Sequence, residues 1–133
     1  MTDAIEQIEK TFTVIKPDMG MEAVPVGPTL YPDLDKNFDQ FRGHHLVSTH
    51  VFKKDWGMWE CHPAGDELVV LLTGSVTFVL REGTTDRSCA LTAAGQFVIV
   101  PRGIWHTART STGATVMFVT PGEGTRNAAQ PED

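Results

Sequence analysis

The chain has 133 residues, which is enough for one hydrophobic core and therefore for one domain. Its hydrophobic content of 41% and its charged content of 21% are ordinary for a water-soluble globular protein. The net charge of -6 and the 11 scattered basic residues argue against a nucleic-acid partner, because a phosphate backbone is met by clustered lysine and arginine.

The cysteines and the N-terminal sequence bear on the compartment. Cys61 and Cys89 form neither a C-x-x-C pair nor a disulfide framework, which indicates two free thiols. Residues 1–10 are polar and acidic and lack the apolar core of a signal peptide. No apolar run approaches the roughly 20 residues that span a bilayer. We therefore expect a soluble, cytoplasmic protein without a membrane partner.

The first 37 residues predict an irregular N-terminal arm. Residues 3–9 carry Ile5 and Ile8 at a spacing that favours a short helix. Residues 11–16, T-F-T-V-I-K, alternate in the way that is typical of a strand. Residues 17–37 are rich in proline, glycine and aspartate, and we expect loops with short extended pieces there. Such an arm would wrap the rest of the domain or a partner subunit.

From Leu46 onward, short β-rich runs recur about every ten residues and are separated by turn residues. The runs span residues 46–52, 56–62, 68–72, 76–81, 88–91, 96–100, 105–110 and 115–120. Many short strands with regular turns predict a sandwich or barrel and not a parallel α/β sheet. We predict one all-β domain over residues 38–122, followed by a tail, 123–133, that is disordered or a loose terminal strand.

One of these runs carries residues that suggest chemistry. Glu60 and His62 are two apart and therefore point to the same face of a strand. The turn 63–66 then brings Glu67, at the start of the next strand, back beside His62. Two carboxylates and an imidazole in one place are a suitable ligand set for a divalent metal ion. Burying these charges without a partner would be costly.

A fourth candidate ligand, His106, follows the turn that contains Pro101 and Gly103. It would complete a shell of two histidines and two carboxylates if its strand lies beside the other two. Local periodicity does not establish that long-range adjacency. Each residue also has a structural alternative: His62 and His106 as hydrogen-bonded core histidines, and Glu60 as a surface residue of a strand.

Two sequence motifs resemble those of the cupin superfamily. The first is E-C-H-P-A-G-D-E over residues 60–67, followed six residues later by Gly74; it is similar to the cupin pattern Gly, five residues, His-x-His, three or four residues, Glu, six residues, Gly. The second is G-x5-P-x-G-x2-H over residues 95–106; it is similar to Gly-x5-Pro-x-Gly-x2-His-x3-Asn. The two motifs stand in the family's order, about twenty residues apart.

The chain departs from the cupin pattern at three positions. Glu60 stands where the family usually has its first metal-binding histidine. Lys54 stands where the first motif opens with glycine, and Thr110 where the second motif ends with asparagine. The second carboxylate gives a harder, more anionic shell, which favours Mn, Fe(II) or Zn over Cu.

The resemblance implies an all-β, single-domain cupin jelly-roll β-barrel with the irregular arm at its N-terminus. It also implies a divalent metal ion with these ligands: Glu60, His62, Glu67 and His106. A small organic molecule would bind in the barrel mouth, and dioxygenase, isomerase, decarboxylase and hydrolase chemistry all occur on this fold.

Two residues are candidates for proton transfer at such a site. Glu60 could leave the metal shell and act as a general base, and His50 could carry protons because imidazole titrates near neutral pH. A non-catalytic metal- or metabolite-binding cupin, serving as a sensor or accessory subunit, is the competing hypothesis. The resemblance also implies a homodimer, for which the arm and an unpaired strand edge offer a route.

Overall fold

The computed structural model describes residues 4–132, which form two antiparallel sheets and one α-helix, α1 (Leu30–Asn37). The strands are β1 (Thr11–Ile15), β2 (Met21–Pro25), β3 (His45–Phe52), β4 (Trp59–Cys61), β5 (Glu67–Gly74), β6 (Val76–Glu82), β7 (Thr85–Leu91), β8 (Phe97–Val100), β9 (His106–Arg109), β10 (Ala114–Thr120) and β11 (Arg126–Ala128). The six-stranded sheet has the order β2-β1-β3-β10-β5-β8, and the five-stranded sheet has the order β11-β4-β9-β6-β7. The all-β prediction is confirmed, although the two sheets do not close into a continuous barrel.

The main core lies between the two sheets. The sheets that enclose this core consist of the predicted strands. Each run that was predicted as a strand contains an observed strand, although the run 56–62 is shortened to β4. Alternation explains the core, because every second side chain of a strand points to the same face: in β5, Glu67, Val69 and Leu71 are buried and the residues between them are partly exposed. The buried core residues are Phe52, Val69, Leu71, Val76, Phe78, Leu80, Leu91, Val100, Ala108, Ala114 and Val116.

The N-terminal arm is more regular than the sequence indicated. β1 forms within the predicted run, and it pairs antiparallel with both β2 and β3, so that the arm extends the six-stranded sheet. The predicted short helix is wrong for the described part of residues 3–9, where residues 4–7 are irregular and 8–10 make a turn. Residue 3 lies outside the described residues.

The helix of the arm lies instead in the segment that was expected to be loop. Short helices are marginal in water and depend on tertiary packing of an apolar face. α1 has that packing, because Leu30 and Leu34 are buried in a second cluster with Phe12, Leu46 and neighbouring residues. None of the helices among residues 4–132 is long and apolar enough to span a bilayer.

The tail adds the last strand of the five-stranded sheet, since β11 pairs antiparallel with β4. Of the two alternatives given for the tail, disorder or a loose terminal strand, residues 126–128 thus adopt the second. On the outer face of this sheet, Trp59 and Trp105 pack with Cys61 and Val79 in a small cluster. Both tryptophans thus point away from the space between the sheets, whereas the neighbouring residues Glu60 and His106 point into it. Both cysteines are free in the structure.

Gly74 closes the first motif at a position that excludes a side chain. Its φ is +81°, and a Cβ there would lie 2.2 Å from the Gly113 carbonyl oxygen. We expect Gly74→Ala to lower the free energy of unfolding by about 2–5 kcal/mol, since a left-handed residue costs roughly 1–2 kcal/mol and overpacking adds about 1–3 kcal/mol. Denaturant unfolding measures the loss.

Gly83→Ala is the matched control for this prediction. Gly83 has a φ of +65°, but no atom lies within 4 Å of a Cβ placed there. The Gly83 variant should therefore lose only the conformational cost of roughly 1–2 kcal/mol. Equal losses in the two variants would contradict a steric role for Gly74.

Candidate metal centre

The two sheets bring the four predicted ligands to a common point. Glu60 on β4 pairs directly with His106 on β9. His62 follows the last residue of β4, and Glu67 begins β5 in the opposite sheet. One ligand atom from each of the four side chains lies within 4.8 Å of the others. The β4–β9 pairing therefore supplies the long-range adjacency that local periodicity does not establish.

Main-chain hydrogen bonds hold the two motifs against each other. The Gly103 amide donates to the His62 carbonyl at 3.0 Å. The Arg102 amide donates to the Asp66 carboxylate at 2.8 Å. These bonds join the turn after β4 to the turn before β9. The backbone thus positions the ligand residues of both motifs, whatever their side chains bind.

The donor atoms converge without satisfying one another. His62 Nε2 lies 2.8 Å from Glu60 Oε1 and 3.3 Å from Glu67 Oε2, and His106 Nε2 lies 3.0 Å from Glu67 Oε1. Among the residues that the structure describes, His62 Nε2 and Glu67 Oε1 are nevertheless buried without a hydrogen bond of acceptable geometry. Buried polar atoms are nearly always hydrogen-bonded. His62 Nε2 and Glu67 Oε1 therefore lie close to their neighbours without forming hydrogen bonds. This arrangement is the one expected of ligand atoms that point at a shared cation.

Hydrogen bonds on the far side of both imidazoles determine which nitrogen faces the cluster. His62 Nδ1 lies 2.9 Å from Thr125 Oγ1, whose own proton is donated to the Gly122 carbonyl. Nδ1 of His62 must then carry the proton that it donates to Thr125. His106 Nδ1 lies 3.2 Å from the Ile104 carbonyl, which can only accept. Both rings therefore turn Nε2 toward the carboxylates, in the arrangement typical of metal-binding histidines.

The electrostatics of the cluster are strongly coupled. Burial alone would lower the pKa of His62, but the adjacent Glu60 and Glu67 carboxylates outweigh burial and raise the pKa to about 9. Burial alone would raise the pKa of Glu67, but contacts with His106 and His62 lower it to about 2. Without a metal ion, a proton on His62 offsets part of the negative charge. A divalent cation would take over that role and displace the proton.

Sequence reasoning missed three residues that act on these ligands. Thr125, in the predicted tail, binds His62, and Thr120 at the end of β10 donates to Glu67 Oε2 at 2.6 Å. Tyr31 of α1 lies near Glu60: burial of its phenol and the Glu60 charge both raise the pKa of Tyr31, although 64% of the residue is exposed. No local pattern marks these residues, since each reaches the site through tertiary packing.

The two candidates for proton transfer are placed differently. His50 is exposed on β3, pairs with Val116 and lies with its ring centroid 4.5 Å from that of Phe52, outside the four-residue cluster. Glu60 belongs to the cluster and is its most open member, with 23% of its side chain exposed against 2% for Glu67. Solvent therefore reaches the cluster past Glu60. A catalytic role for either residue stays a prediction.

We expect Thr125→Val to weaken the affinity for a divalent cation about 10–100-fold, the range typical for the hydrogen-bond partner of a metal-binding histidine. Valine keeps the shape of threonine but cannot accept the His62 Nδ1 proton. Calorimetric titration measures the effect. Thr115→Val, on the outward face of β10 and distant from the cluster in the sheet register, is the control. Equal affinities of the two variants would contradict the role of Thr125.

Comparisons with known proteins address the fold. No protein-family model and no curated protein matches the sequence. A protein with a double-stranded β-helix domain from Klebsiella pneumoniae subsp. pneumoniae MGH 78578 aligns over 63% of this chain and 74% of its own, with 21% identity and a TM-score of 0.51. Hydroquinone 1,2-dioxygenase from Sphingomonas sp. TTNP3, with 4-hydroxybenzoate bound, aligns over 57% of this chain with 15% identity and a TM-score of 0.50. The match spans 58% of that dioxygenase chain.

A cupin-2 domain protein from Shewanella frigidimarina NCIMB 400 aligns over 58% of this chain and 70% of its own, with 18% identity and a TM-score of 0.49. At these identities the structural likeness describes the fold and not the activity. Two facing antiparallel sheets, with residues of both motifs between them, agree with the double-stranded β-helix neighbour. The chain therefore has a double-stranded β-helix fold, which is the fold that its cupin-like motifs imply.

Proposed function

We propose that this chain is a metal-dependent enzyme that acts on a small, oxygen-bearing organic molecule at the Glu60 side of the cluster. The observation that carries the proposal is the convergence of four donor side chains, with His62 Nε2 and Glu67 Oε1 buried and not hydrogen-bonded. When bound, a divalent cation polarises a substrate oxygen or activates water or dioxygen. Two carboxylates with two neutral imidazoles balance a charge of +2 and favour Mn, Fe(II) or Zn.

The chain's own residues would divide the remaining tasks. Glu67 is buried and fixed by Thr120, so it suits a permanent ligand. Glu60 is partly exposed, and no hydroxyl group among the described residues donates a hydrogen bond to it as Thr120 does to Glu67. Its side chain can therefore rotate and accept a proton from a substrate hydroxyl. Tyr31, near Glu60, is placed to contact a molecule that approaches from this side.

Within this proposal, oxidation of a phenol or a small carboxylic acid by dioxygen is the first reaction class to test. Its support is the shared fold with hydroquinone 1,2-dioxygenase and the hard, anionic ligand set, which suits Fe(II) and Mn. Isomerase and hydrolase chemistry remain alternatives on the same fold.

A non-catalytic metal- or metabolite-binding module is the second candidate, and one observation favours it. Cavities of about 490 Å³ and 320 Å³ lie elsewhere on the molecule, the first beside Lys16 and His44 and the second beside Asp55 and Arg109. Neither cavity is lined by a residue of the cluster. A cluster that holds a cation without turning over a substrate would serve a sensor or an accessory subunit.

Reconstitution distinguishes these candidates. The purified chain is stripped of metal, reloaded separately with Fe(II), Mn(II) or Zn(II), and supplied with hydroxybenzoates, hydroquinones and small dicarboxylates. Oxygen uptake and product formation in one loaded form, absent from His106→Ala, are the expected result. Stoichiometric metal without turnover on the whole panel would favour the binding module. Failure to bind any divalent cation would contradict the enzyme and the metal-binding form of the module.

A further inference from the structure

The cavity of about 490 Å³ lies in the N-terminal arm, outside the metal centre. Its walls come from the hairpin of β1 and β2, from the end of α1 and from the residues just before β3. No residue of the four-residue cluster lines it. Its volume falls in the range of about 300–1,000 Å³ that is typical of small-molecule sites. The arm therefore has space for a ligand that the proposed metal chemistry does not use.

A buried histidine with an unused ring nitrogen lines this cavity. His44 is 9% exposed, and its Nδ1 lies 2.8 Å from the Arg42 carbonyl oxygen. A carbonyl only accepts hydrogen bonds, so Nδ1 carries the proton, and Nε2 of the neutral ring is left as an acceptor. Within residues 4–132, Nε2 of His44 has no hydrogen-bond partner. This nitrogen is therefore available to a donor that enters the cavity.

The ring of His44 is held in place on two sides. Its centroid lies 5.7 Å from that of Phe38 and 5.4 Å from that of Phe41, and both phenylalanines are buried. These contacts and the bond from Nδ1 fix the orientation of the imidazole before any ligand arrives. A fixed acceptor favours binding, because little conformational freedom is lost when the ligand forms its hydrogen bond.

A strained turn shapes the same wall. Asp39, Gln40 and Phe41 have φ angles of +56°, +55° and +61°, and none of them is glycine. Left-handed backbone costs L-residues conformational energy, so the surrounding structure must hold it. Burial of Phe41 and the ion pair of Arg42 with Asp39 provide that support. Strain of this kind is concentrated at binding sites, and this segment supplies three lining residues: Phe38, Asp39 and His44.

The polar groups of the wall are mainly acceptors. Besides His44 Nε2, the carboxylates of Glu22 and Asp39 line the cavity, and each carboxylate has room for further hydrogen bonds. Lys16 is the one lysine or arginine among the described lining residues, and its Nζ is already paired with Glu22 Oε1 at 3.1 Å. A matching ligand therefore brings hydrogen-bond donors and positive charge, and not a carboxylate or a phosphate.

We propose that this cavity binds a small organic amine, with the protonated amino group at His44 Nε2 and the wall carboxylates and an apolar or aromatic body against Val24 and Phe38. A primary ammonium group has three N–H donors, which suits this set of acceptors. The net charge of -6 attracts a cation from a distance. The site goes beyond the proposed function and does not depend on it, since it needs neither the metal ion nor its ligands.

The test is a titration of the isotope-labelled full chain with benzylamine, benzyl alcohol and benzoate, followed by NMR of the backbone amides. The three probes share a ring and differ in charge. Benzylamine should shift the amides of the lining residues, and benzoate should bind there at least about tenfold more weakly, because its carboxylate would meet like charges. No shift at these residues, or equal binding of benzylamine and benzoate there, would overturn the proposal.

Two variants test the acceptors of the wall. His44→Phe keeps a ring beside Phe38 and Phe41 and removes Nε2, so it should weaken benzylamine binding about tenfold or more, the effect of one hydrogen bond to a charged group. Glu22→Gln changes an exposed side chain and should weaken benzylamine about two- to fivefold without changing benzyl alcohol. Wild-type affinity for benzylamine in either variant, with folding verified by circular dichroism, would overturn the proposal.

Two further variants serve as controls. His50→Phe makes the same exchange at an exposed histidine of β3 that does not line the cavity, and it should bind benzylamine like the wild type. His106→Ala alters the metal centre and should also leave benzylamine binding unchanged, which separates this site from the proposed function. Loss of benzylamine binding in the His106 variant would assign the amine to the metal cluster and overturn the proposal.

Discussion

His106→Ala is expected to lower the affinity for a divalent cation by about 100-fold or more. This loss is larger than the roughly 10–100-fold loss that is typical when a hydrogen-bond partner of a metal ligand is removed. The substitution removes one of two imidazoles, whose Nε2 lies 3.0 Å from Glu67 Oε1. It also leaves Glu67, which is 1% exposed, with one imidazole contact in place of two. Calorimetric titration with Mn(II) or Zn(II), together with elemental analysis of the purified variant, measures the loss.

His50→Ala is the matched control, because it removes the same side chain from another strand of the fold. His50 lies outside the cluster, and its variant should bind the cation like the wild type. His106→Gln is a second variant that retains a polar side chain, so that loss of binding can be separated from loss of folding by circular dichroism. Wild-type affinity in a folded His106 variant would exclude this residue as a ligand.

The affinity for the cation should rise with pH, by up to about tenfold per pH unit below pH 9, because the cation competes with one proton on His62. The reason is the raised pKa of His62, about 9, in the cluster without metal. Glu67, with a pKa of about 2, stays ionised and contributes no proton in this range. Titrations in buffers of different ionisation enthalpy also report the proton released. A pH-independent affinity without proton release would contradict the coupling.

The stability of the metal-free chain should depend on pH in the opposite sense. The pKa of His62 is raised from 6.5, so its stabilisation is complete below pH 6.5 and is lost as the pH rises through about 9. The pKa of Glu67 is lowered from 4.5, so its stabilisation is complete above pH 4.5 and is lost as the pH falls through about 2. The metal-free chain should therefore be most stable between pH 4.5 and 6.5.

The loss in free energy of unfolding at alkaline pH is on the order of 3 kcal/mol, because the pKa of His62 is raised from 6.5 to about 9 and each pKa unit corresponds to about 1.4 kcal/mol. Thermal unfolding of the metal-free chain between pH 6 and 10 measures it. His62→Gln should flatten the profile, and saturating metal should remove the decline because the cation then supplies the positive charge. A wild-type profile that matches the His62 variant would show that the imidazole does not carry the effect.

Local periodicity was sufficient for the strands and for part of the site. The side-chain period of two placed Glu60 and His62 on one face, and the four-residue turn placed Glu67 beside them, as the distances to His62 confirm. These inferences depend only on residues close in sequence. The same reasoning could not place His106, because the β4–β9 pairing joins segments about 45 residues apart. The resemblance to the cupin motifs supplied that pairing.

The failures have the same physical origin. Ile5 and Ile8 have helical spacing, but Ile5 lies in an irregular segment and Ile8 in a turn. The helix α1 forms instead where Leu30 and Leu34 are buried in a cluster. Helix stability here comes from tertiary packing and not from the local pattern. Thr125 likewise lies in a polar tail without any local signal, and only β11 pairing beside β4 brings it to His62.

The most direct test of the metal centre is a crystal structure of the chain loaded with Mn(II) or Zn(II), with diffraction data collected at the absorption edge of the metal. We predict one anomalous peak per chain, at about 2.0–2.3 Å from Nε2 of His62 and of His106 and from a carboxylate oxygen of Glu67 and of Glu60. No peak, or a peak bound by other residues while these four side chains point into different surroundings, would contradict the account.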